Sequence, residues 1–335
     1  MNSLVGPERK GAAFFLAGLV CLSSATAQPV KTPNKPDHDK PEKKAIETSA
    51  VELGLIYDFD SAEHTDRIRL TVMLPSNIRG RQKILASKYR PKPTNVFSHN
   101  GLRYAEFSIN NPPKRFRVQI DINLQLFRYD LAVARQQPQP APLTYSELAE
   151  FLRGERWIEK DDPKIRQIAG SVKGKDEIET VRNIFEYVAD NMEYVITKES
   201  NTGALYALKQ KKGDCSEYSD MFVAICRARN IPARFITGYT VRFDDVTPKH
   251  HWAEVYLRRY GWVPVDPSWA DVENKAFRTM AFESMRPVYI YLTHFRGDEV
   301  MLSSHYFSYL YWGDKPEVTD SIELRQTTEL LGESE

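Results

Sequence analysis

Residues 211–234 of the chain read KKGDCSEYSDMFVAICRARNIPAR, and residues 249–269 read KHHWAEVYLRRYGWVPVDPSW. In the first stretch, an apolar run follows Cys215 without a helix breaker. The ends of a helix are marked by a capping box at Asp214 and Glu217 and by a stop signal at Asn230 and Pro232. The first stretch therefore predicts a helix that carries Cys215 in its first turn.

Cys215 is the candidate nucleophile of the chain. Unpaired N–H groups and the helix dipole favour a thiolate over a thiol at a helix start. A cysteine without such surroundings is more often a small buried apolar residue, and Cys226 has this interpretation because it lies in the middle of the helix. The two are roughly 16 Å apart at 1.5 Å per residue, too far for a disulfide. The third cysteine, Cys21, lies near the N-terminus.

The second stretch predicts a β-hairpin with a histidine and an aspartate on one face. Residues 250–256 and 262–266 alternate, and the region of Arg258 reads as the turn. With the turn centred there, His250 is directly opposite Asp266, and opposed side chains share a face. A register shifted by one residue would place His251 opposite Asp266 instead. The spacing alone leaves both registers open.

Together the two stretches resemble the bacterial transglutaminase-like superfamily, whose core is a relative of the papain-type fold. The matching residues are Gly213, Asp214, Cys215, Tyr218, Arg227, Ala228, residues 231–234, Gly238, Tyr239, His250, Trp252, Glu254, Tyr256, Gly261, Trp262, Pro264, Asp266 and Pro267. In this family the catalytic histidine precedes the strand tryptophan by two residues. The resemblance therefore selects His250 and implies a catalytic triad of Cys215, His250 and Asp266. The family's Asp-Pro-Thr is Asp-Pro-Ser in this chain.

The resemblance also implies residues around the triad. An aromatic residue ahead of the cysteine often supplies an oxyanion donor in this superfamily, and Tyr194 is the candidate here, with Trp252 as a second candidate for the cleft. The tryptophan that animal transglutaminases use has no clear counterpart. No cofactor and no metal is expected, because adjacent histidines on a strand point to opposite faces and no calcium-loop or paired-cysteine pattern occurs.

A thiolate, an imidazole and a carboxylate in this arrangement can form a thioester by attacking an amide. Hydrolysis is the default fate of a thioester, because transfer to an amine requires a site that binds the amine and excludes water. We expect an amide hydrolase of peptidase or amidase type that acts on a protein or peptide. Protein-glutamine crosslinking, and a non-catalytic envelope-binding protein on the same fold, are the alternatives.

The N-terminus has the pattern of a cleavable signal peptide over residues 1–27. Arg9 and Lys10 precede an apolar stretch, and Ala25-Thr26-Ala27 matches the cleavage pattern. The apolar stretch is too short to span a bilayer, so no transmembrane segment is expected after cleavage. We expect a periplasmic or secreted protein. The proline- and lysine-rich residues 28–50 predict a disordered linker.

The remaining sequence predicts an α+β protein with two domains. Residues 51–135 show period-two apolar patterns and predict an antiparallel β-sandwich. Residues 140–316 combine helices before Cys215 with strands after it, as expected for a transglutaminase-like catalytic domain. The aromatic residues of 289–312 predict closing strands, with a sugar- or peptide-binding platform as the alternative, and residues 317–335 predict a polar tail. A net charge of +1 in 335 residues gives no indication of nucleic-acid binding.

Overall fold

The computed structural model describes residues 47–196, 202–241, 248–271, 274–302 and 304–330. The predicted signal peptide and residues 28–46 of the predicted linker lie outside these ranges. The chain starts with seven strands within the described part: β1 (Glu47–Asp60), β2 (Thr65–Leu74), β3 (Gln82–Arg90), β4 (Asn95–His99), β5 (Leu102–Asn110), β6 (Arg115–Phe127) and β7 (Tyr129–Asp130).

Helices and short strands lead up to Cys215. They are α1 (Leu131–Gln136), α2 (Tyr145–Leu152), α3 (Pro163–Ser171), α4 (Glu177–Asn191), β8 (Glu193–Tyr194), α5 (Ala204–Gln210), β9 (Lys212–Gly213) and α6 (Cys215–Ala228). The elements that follow are β10 (Ala233–Thr240), β11 (Lys249–Leu257), β12 (Gly261–Val265), a 3-10 helix (Pro267–Ala270), α7 (Lys275–Glu283), β13 (Ser284–Met285), β14 (Tyr289–Thr293), β15 (Phe307–Gly313) and β16 (Glu317–Leu330).

Two antiparallel sheets form the predicted N-terminal sandwich. One has the strand order β16-β1-β6-β3 and the other β15-β2-β5-β4. Alternate apolar residues of both sheets are buried, as the period-two pattern requires, among them Leu53, Leu55, Ile68, Leu70, Val118 and Ile120. The rings of Tyr57 on β1 and Phe307 on β15 meet 4.9 Å apart between the sheets.

The second half of the fold is a helix packed on a twisted sheet. Strands follow the order β12-β11-β10-β14 and pair antiparallel. Helix α6 packs on β10 and β11, and its residues from 217 to 227 are all buried. The mixed α+β fold class with a strand-rich N-terminal region is thus confirmed. Among the described helices, none has both the length and the apolar character needed to cross a lipid bilayer.

The C-terminal residues correct the predicted boundaries. Residues 317–330, predicted as a polar tail, form β16 and pair with β1 along its full length. Strand β15 pairs with β2 in the sandwich instead of closing the core, and β1 begins inside the predicted linker. In β16 the apolar Val318, Ile322 and Leu324 alternate with exposed residues and pack on the core. This half-buried edge strand resembles a solvated tail because one of its two faces is polar.

The pairing of β16 predicts a difference between neighbouring residues. Leu324→Ala should lower the free energy of unfolding by about 1–2 kcal/mol, since Leu324 is half-buried against the sandwich core. Arg325→Ala, on the exposed face, should change it by less than about 0.5 kcal/mol. Urea unfolding of both variants measures the difference. Equal effects would contradict the pairing of β16 with β1.

Candidate active site

The start of helix α6 is held by the predicted capping box. The carboxylate of Asp214 accepts a hydrogen bond from the Ser216 N–H at 2.9 Å, and Glu217 accepts one from the Asp214 N–H at 3.1 Å. Thr202 donates its hydroxyl to the other oxygen of Glu217 at 2.6 Å. Cys215 is therefore the first helical residue, as predicted, and its side chain is half-buried. Its N–H is among those that a helix leaves without an intrahelical partner.

The hairpin register differs from the predicted one by two residues. Ala253 pairs with Val265. Asp266 is therefore a diagonal neighbour of His250 across the two strands and does not lie directly opposite it. A shift of two residues keeps a side chain on the same face of the sheet, whereas a shift of one would reverse it. His250 and Asp266 therefore still meet on one face, and His251 points to the other.

The imidazole of His250 connects the cysteine to the aspartate. Its Nε2 is 2.6 Å from the Asp266 Oδ2, and the side chain of Cys215 lies near enough to the ring to raise the pKa of His250. Because Nε2 is occupied by Asp266, Nδ1 is the nitrogen left for the thiol. Burial alone would lower the pKa of His250, but the charges and hydrogen bonds of Asp266 and Cys215 raise it to about 10.

Two residues that the sequence analysis did not select complete the surroundings of Asp266. Tyr289 donates its hydroxyl to Oδ2 at 2.9 Å, and the hydroxyl and N–H of Ser268 reach Oδ1 at 2.7 and 3.2 Å. Burial would raise the pKa of Asp266, but His250 and these donors hold it below its usual value. The family's Asp-Pro-Thr pattern is a signal for Ser268, because serine keeps the hydroxyl of threonine. No local pattern marks Tyr289.

Trp252, a candidate for the cleft, packs under the site. It is fully buried, and its ring lies nearly parallel to His250 with ring centroids 6.1 Å apart. A Cβ at Gly238, the strand partner of His250, would come within 2.5 Å of this ring and 2.0 Å of the Ile290 carbonyl oxygen. The glycine is thus required so that the tryptophan can support the imidazole from below. Trp252 has no exposed surface with which to line a cleft.

Tyr194, the oxyanion candidate, lies beside the start of α6. Strand β8 pairs in parallel with β9, which places Tyr194 next to Gly213. Asp271 holds this region by accepting hydrogen bonds from the Tyr194 N–H and the Tyr218 hydroxyl, both at 2.9 Å. The side chain of Tyr194 is 43% exposed. It is near the cysteine but open to water.

His251 belongs to a separate buried network. Thr237 Oγ1 lies 3.2 Å from His251 Nδ1 and 3.4 Å from His305 Nδ1. Burial, followed by neighbouring positive charge, lowers the pKa of both histidines, that of His305 to about 3. Within the described residues, no group of three or more His, Cys, Asp or Glu side chains is arranged to hold a metal ion.

The two described cysteines should react differently with an alkylating reagent. Cys215 is accessible, whereas Cys226 is fully buried and burial raises the pKa of its thiol. Treating the folded protein with iodoacetamide at neutral pH should place the adduct on Cys215, and peptide mass spectrometry locates it. Preferential labelling of Cys226 would contradict the assignment of the reactive thiol.

The raised pKa of His250 predicts a pH dependence of stability. An unfolded histidine titrates near pH 6.5, whereas folded His250 has a pKa of about 10. The stabilisation is therefore complete below about pH 6.5 and is lost as the pH rises to about 10. Between these values the free energy of unfolding should fall more steeply than in His250→Gln, by up to about 1.4 kcal/mol per pH unit. Urea unfolding at constant ionic strength measures both slopes, and parallel slopes would exclude a charged imidazole.

Comparisons with known proteins agree with the fold and the motifs. The model of the transglutaminase-like superfamily matches residues 166–267. The Bacillus subtilis protein YebA is 29% identical over 99 residues, which cover 26% of this chain and 13% of that protein. An uncharacterised Haemophilus influenzae protein is 27% identical over 161 residues, covering 38% of this chain and 42% of its own length. The chain thus spans less than half of either relative.

A solved structure has the same overall fold. It belongs to a proposed cysteine protease of Cytophaga hutchinsonii, with a TM-score of 0.59 and 18% identity over 86% of this chain and 92% of that one. At this identity the similarity concerns the fold alone. The family match, over residues 166–267, includes Cys215, His250 and Asp266, so this region of the chain has the core of the transglutaminase-like superfamily.

Proposed function

We propose that the protein is a thiol enzyme that cleaves amide bonds through an acyl-enzyme intermediate. The observation that supports this is the buried imidazole of His250, which is hydrogen-bonded to Asp266 and has its pKa raised by the nearby Cys215. A nucleophile, a base and an orienting group in hydrogen-bond reach of each other are what acyl transfer requires.

In the proposed mechanism, the Cys215 sulfur attacks the carbonyl carbon of an amide and the carbonyl electron pair moves to oxygen. The tetrahedral intermediate collapses when His250 gives its proton to the leaving amine, which breaks the C–N bond and leaves a thioester. His250 then takes a proton from water, and the resulting hydroxide attacks the thioester carbonyl, which releases the carboxylic acid and restores the Cys215 thiolate beside the protonated His250. Asp266 stays ionised and holds the ring with Nε2 toward itself.

Hydrolysis is the preferred outcome in this proposal because water needs no dedicated site, whereas transfer to an amine does. Proteins or peptides are the proposed substrates. The signal-type segment at residues 1–27 supports export to the periplasm or beyond, where cell-envelope proteins would be available. The mechanism uses side chains of this chain alone and calls for no cofactor.

The test combines cleavage and amine incorporation. Purified protein is incubated with casein and a fluorescent primary amine, and new N-termini and incorporated label are measured. We expect new N-termini without label, and loss of the signal in Cys215→Ala. His250→Gln should slow acylation by about 10²–10⁴-fold, the contribution of a general acid–base group.

His251→Gln is the matched control, because His251 points to the other face of the sheet and forms no hydrogen bond with Asp266 among the described residues. It should retain most of the activity once its folding has been verified by circular dichroism. Label without cleavage would favour crosslinking over hydrolysis. A larger loss in His251→Gln than in His250→Gln would contradict the assigned base.

A further inference from the structure

Strand β14 supplies two tyrosines to the face of the core sheet that carries the site. The hydroxyl of Tyr289 donates to Asp266 Oδ2 at 2.9 Å, and the ring of Tyr291 packs against Trp252 with ring centroids 4.8 Å apart. Residues two apart in a strand point to the same face. A displacement of β14 would therefore move the Tyr289 hydroxyl relative to the carboxylate of Asp266.

The outer edge of β14 is closed by a side chain of the N-terminal sandwich. In the core sheet β14 is the end strand and pairs with β10, so the buried backbone groups on its other side need other partners. Gln82 of β3 accepts a hydrogen bond from the Tyr291 N–H through Oε1 at 2.9 Å. Its Nε2 donates to the backbone oxygen of Tyr291, also at 2.9 Å. The side-chain amide thus pairs with β14 as a residue of an added strand would.

The amide of Gln82 has one orientation. Gln82 is 2% exposed, and its Nε2 also donates to the backbone oxygen of Ser76 at 2.7 Å. The two donors of the amide bind two carbonyl oxygens, and its acceptor binds an N–H. Turning the amide over would set like groups against each other at all three bonds. An apolar side chain at this position would leave the N–H and the carbonyl of Tyr291 buried without these partners, which costs more than an average hydrogen bond contributes.

We infer that Gln82 is a positioning residue of the proposed acyl transfer and that it acts through Tyr289. The inference rests on the proposed function. Because Gln82 holds the backbone of Tyr291, it keeps the Tyr289 hydroxyl on Asp266, and Asp266 in turn holds the His250 ring. The N-terminal sandwich is then a working part of the active site and does more than cover apolar surface of the core.

A double-mutant cycle tests whether Gln82 acts through Tyr289. Tyr289→Phe should slow the acylation of Cys215 by p-nitrophenyl acetate by about tenfold, the effect of losing one hydrogen bond to a charged group. Gln82→Met, which keeps the length of the side chain, should slow it by about three- to tenfold. The double variant should be no slower than Tyr289→Phe, since both changes remove the same interaction. Release of p-nitrophenolate gives the rates.

Proton NMR gives a second readout that requires no turnover. The proton between His250 Nε2 and Asp266 should give a separate downfield resonance, which is identified by its loss in His250→Gln. Gln82→Met should shift or broaden this resonance. Tyr104→Phe is the matched control, because Tyr104 also joins the sandwich to the core, through a 2.6 Å hydrogen bond to Asp298 beyond the end of β14. It should change neither the resonance nor the acylation rate.

Three results would overturn the inference. Multiplied effects in the double variant would mean that Gln82 acts independently of Tyr289. Unchanged acylation in Gln82→Met would mean that Gln82 takes no part, and equal slowing in Tyr104→Phe would mean that the loss reflects stability in general. If Gln82→Met does not fold, Gln82→Glu takes its place, because it keeps the acceptor for the Tyr291 N–H and loses the amide donor.

A failure of the proposed function itself gives a different result. The unaltered protein would then form no acyl-enzyme on Cys215, although the His250 resonance would still respond to Gln82→Met.

Discussion

The hydrogen bond between His250 and Asp266 makes the strictest demand on this fold, because both groups are buried and carry charge at neutral pH. Removing two charges from water costs more than their attraction returns unless further hydrogen bonds complete the site. Ser268 and Tyr289 supply those bonds to the carboxylate, and Cys215 approaches the other side of the ring. The site therefore requires four elements to meet at one point, namely helix α6, the β11–β12 hairpin, the 3-10 helix and β14.

The parts of this arrangement that depend on neighbouring residues could be predicted from the sequence. The capping box at Asp214 and the left-handed backbone at Asn230 set the two ends of α6 locally, and both are observed. The sequence predicted that these residues form a β-hairpin and which of their side chains share a face. It did not predict the register of the two strands. Leu257 pairs with Gly261, so the turn centres one residue later than predicted. Each pairing moves by two residues, which preserves the face and hence the meeting of His250 with Asp266.

The parts that depend on distant residues could not be predicted. Asp220 and Arg296 are 76 residues apart, and an aspartate within a helix is usually a solvated residue, so only the folded chain reveals that it is buried and paired. In the sequence, nothing distinguishes Tyr289 from the other aromatic residues that occupy β-strands. Strand β16 was predicted as a tail because its inner residues are few and widely spaced. Period-two patterns are weakest in edge strands with one polar face.

The sandwich takes strands from both ends of the chain, since β1 pairs with β16 and β2 with β15. The helices and strands of the site are inserted between these partners. During synthesis, β1 and β2 must therefore wait for the last part of the chain before either sheet is complete. Contacts of such large sequence separation slow folding and leave strand edges unpaired in the meantime. The edges of β1 and β2 are therefore surfaces on which an incompletely folded chain is open to aggregation.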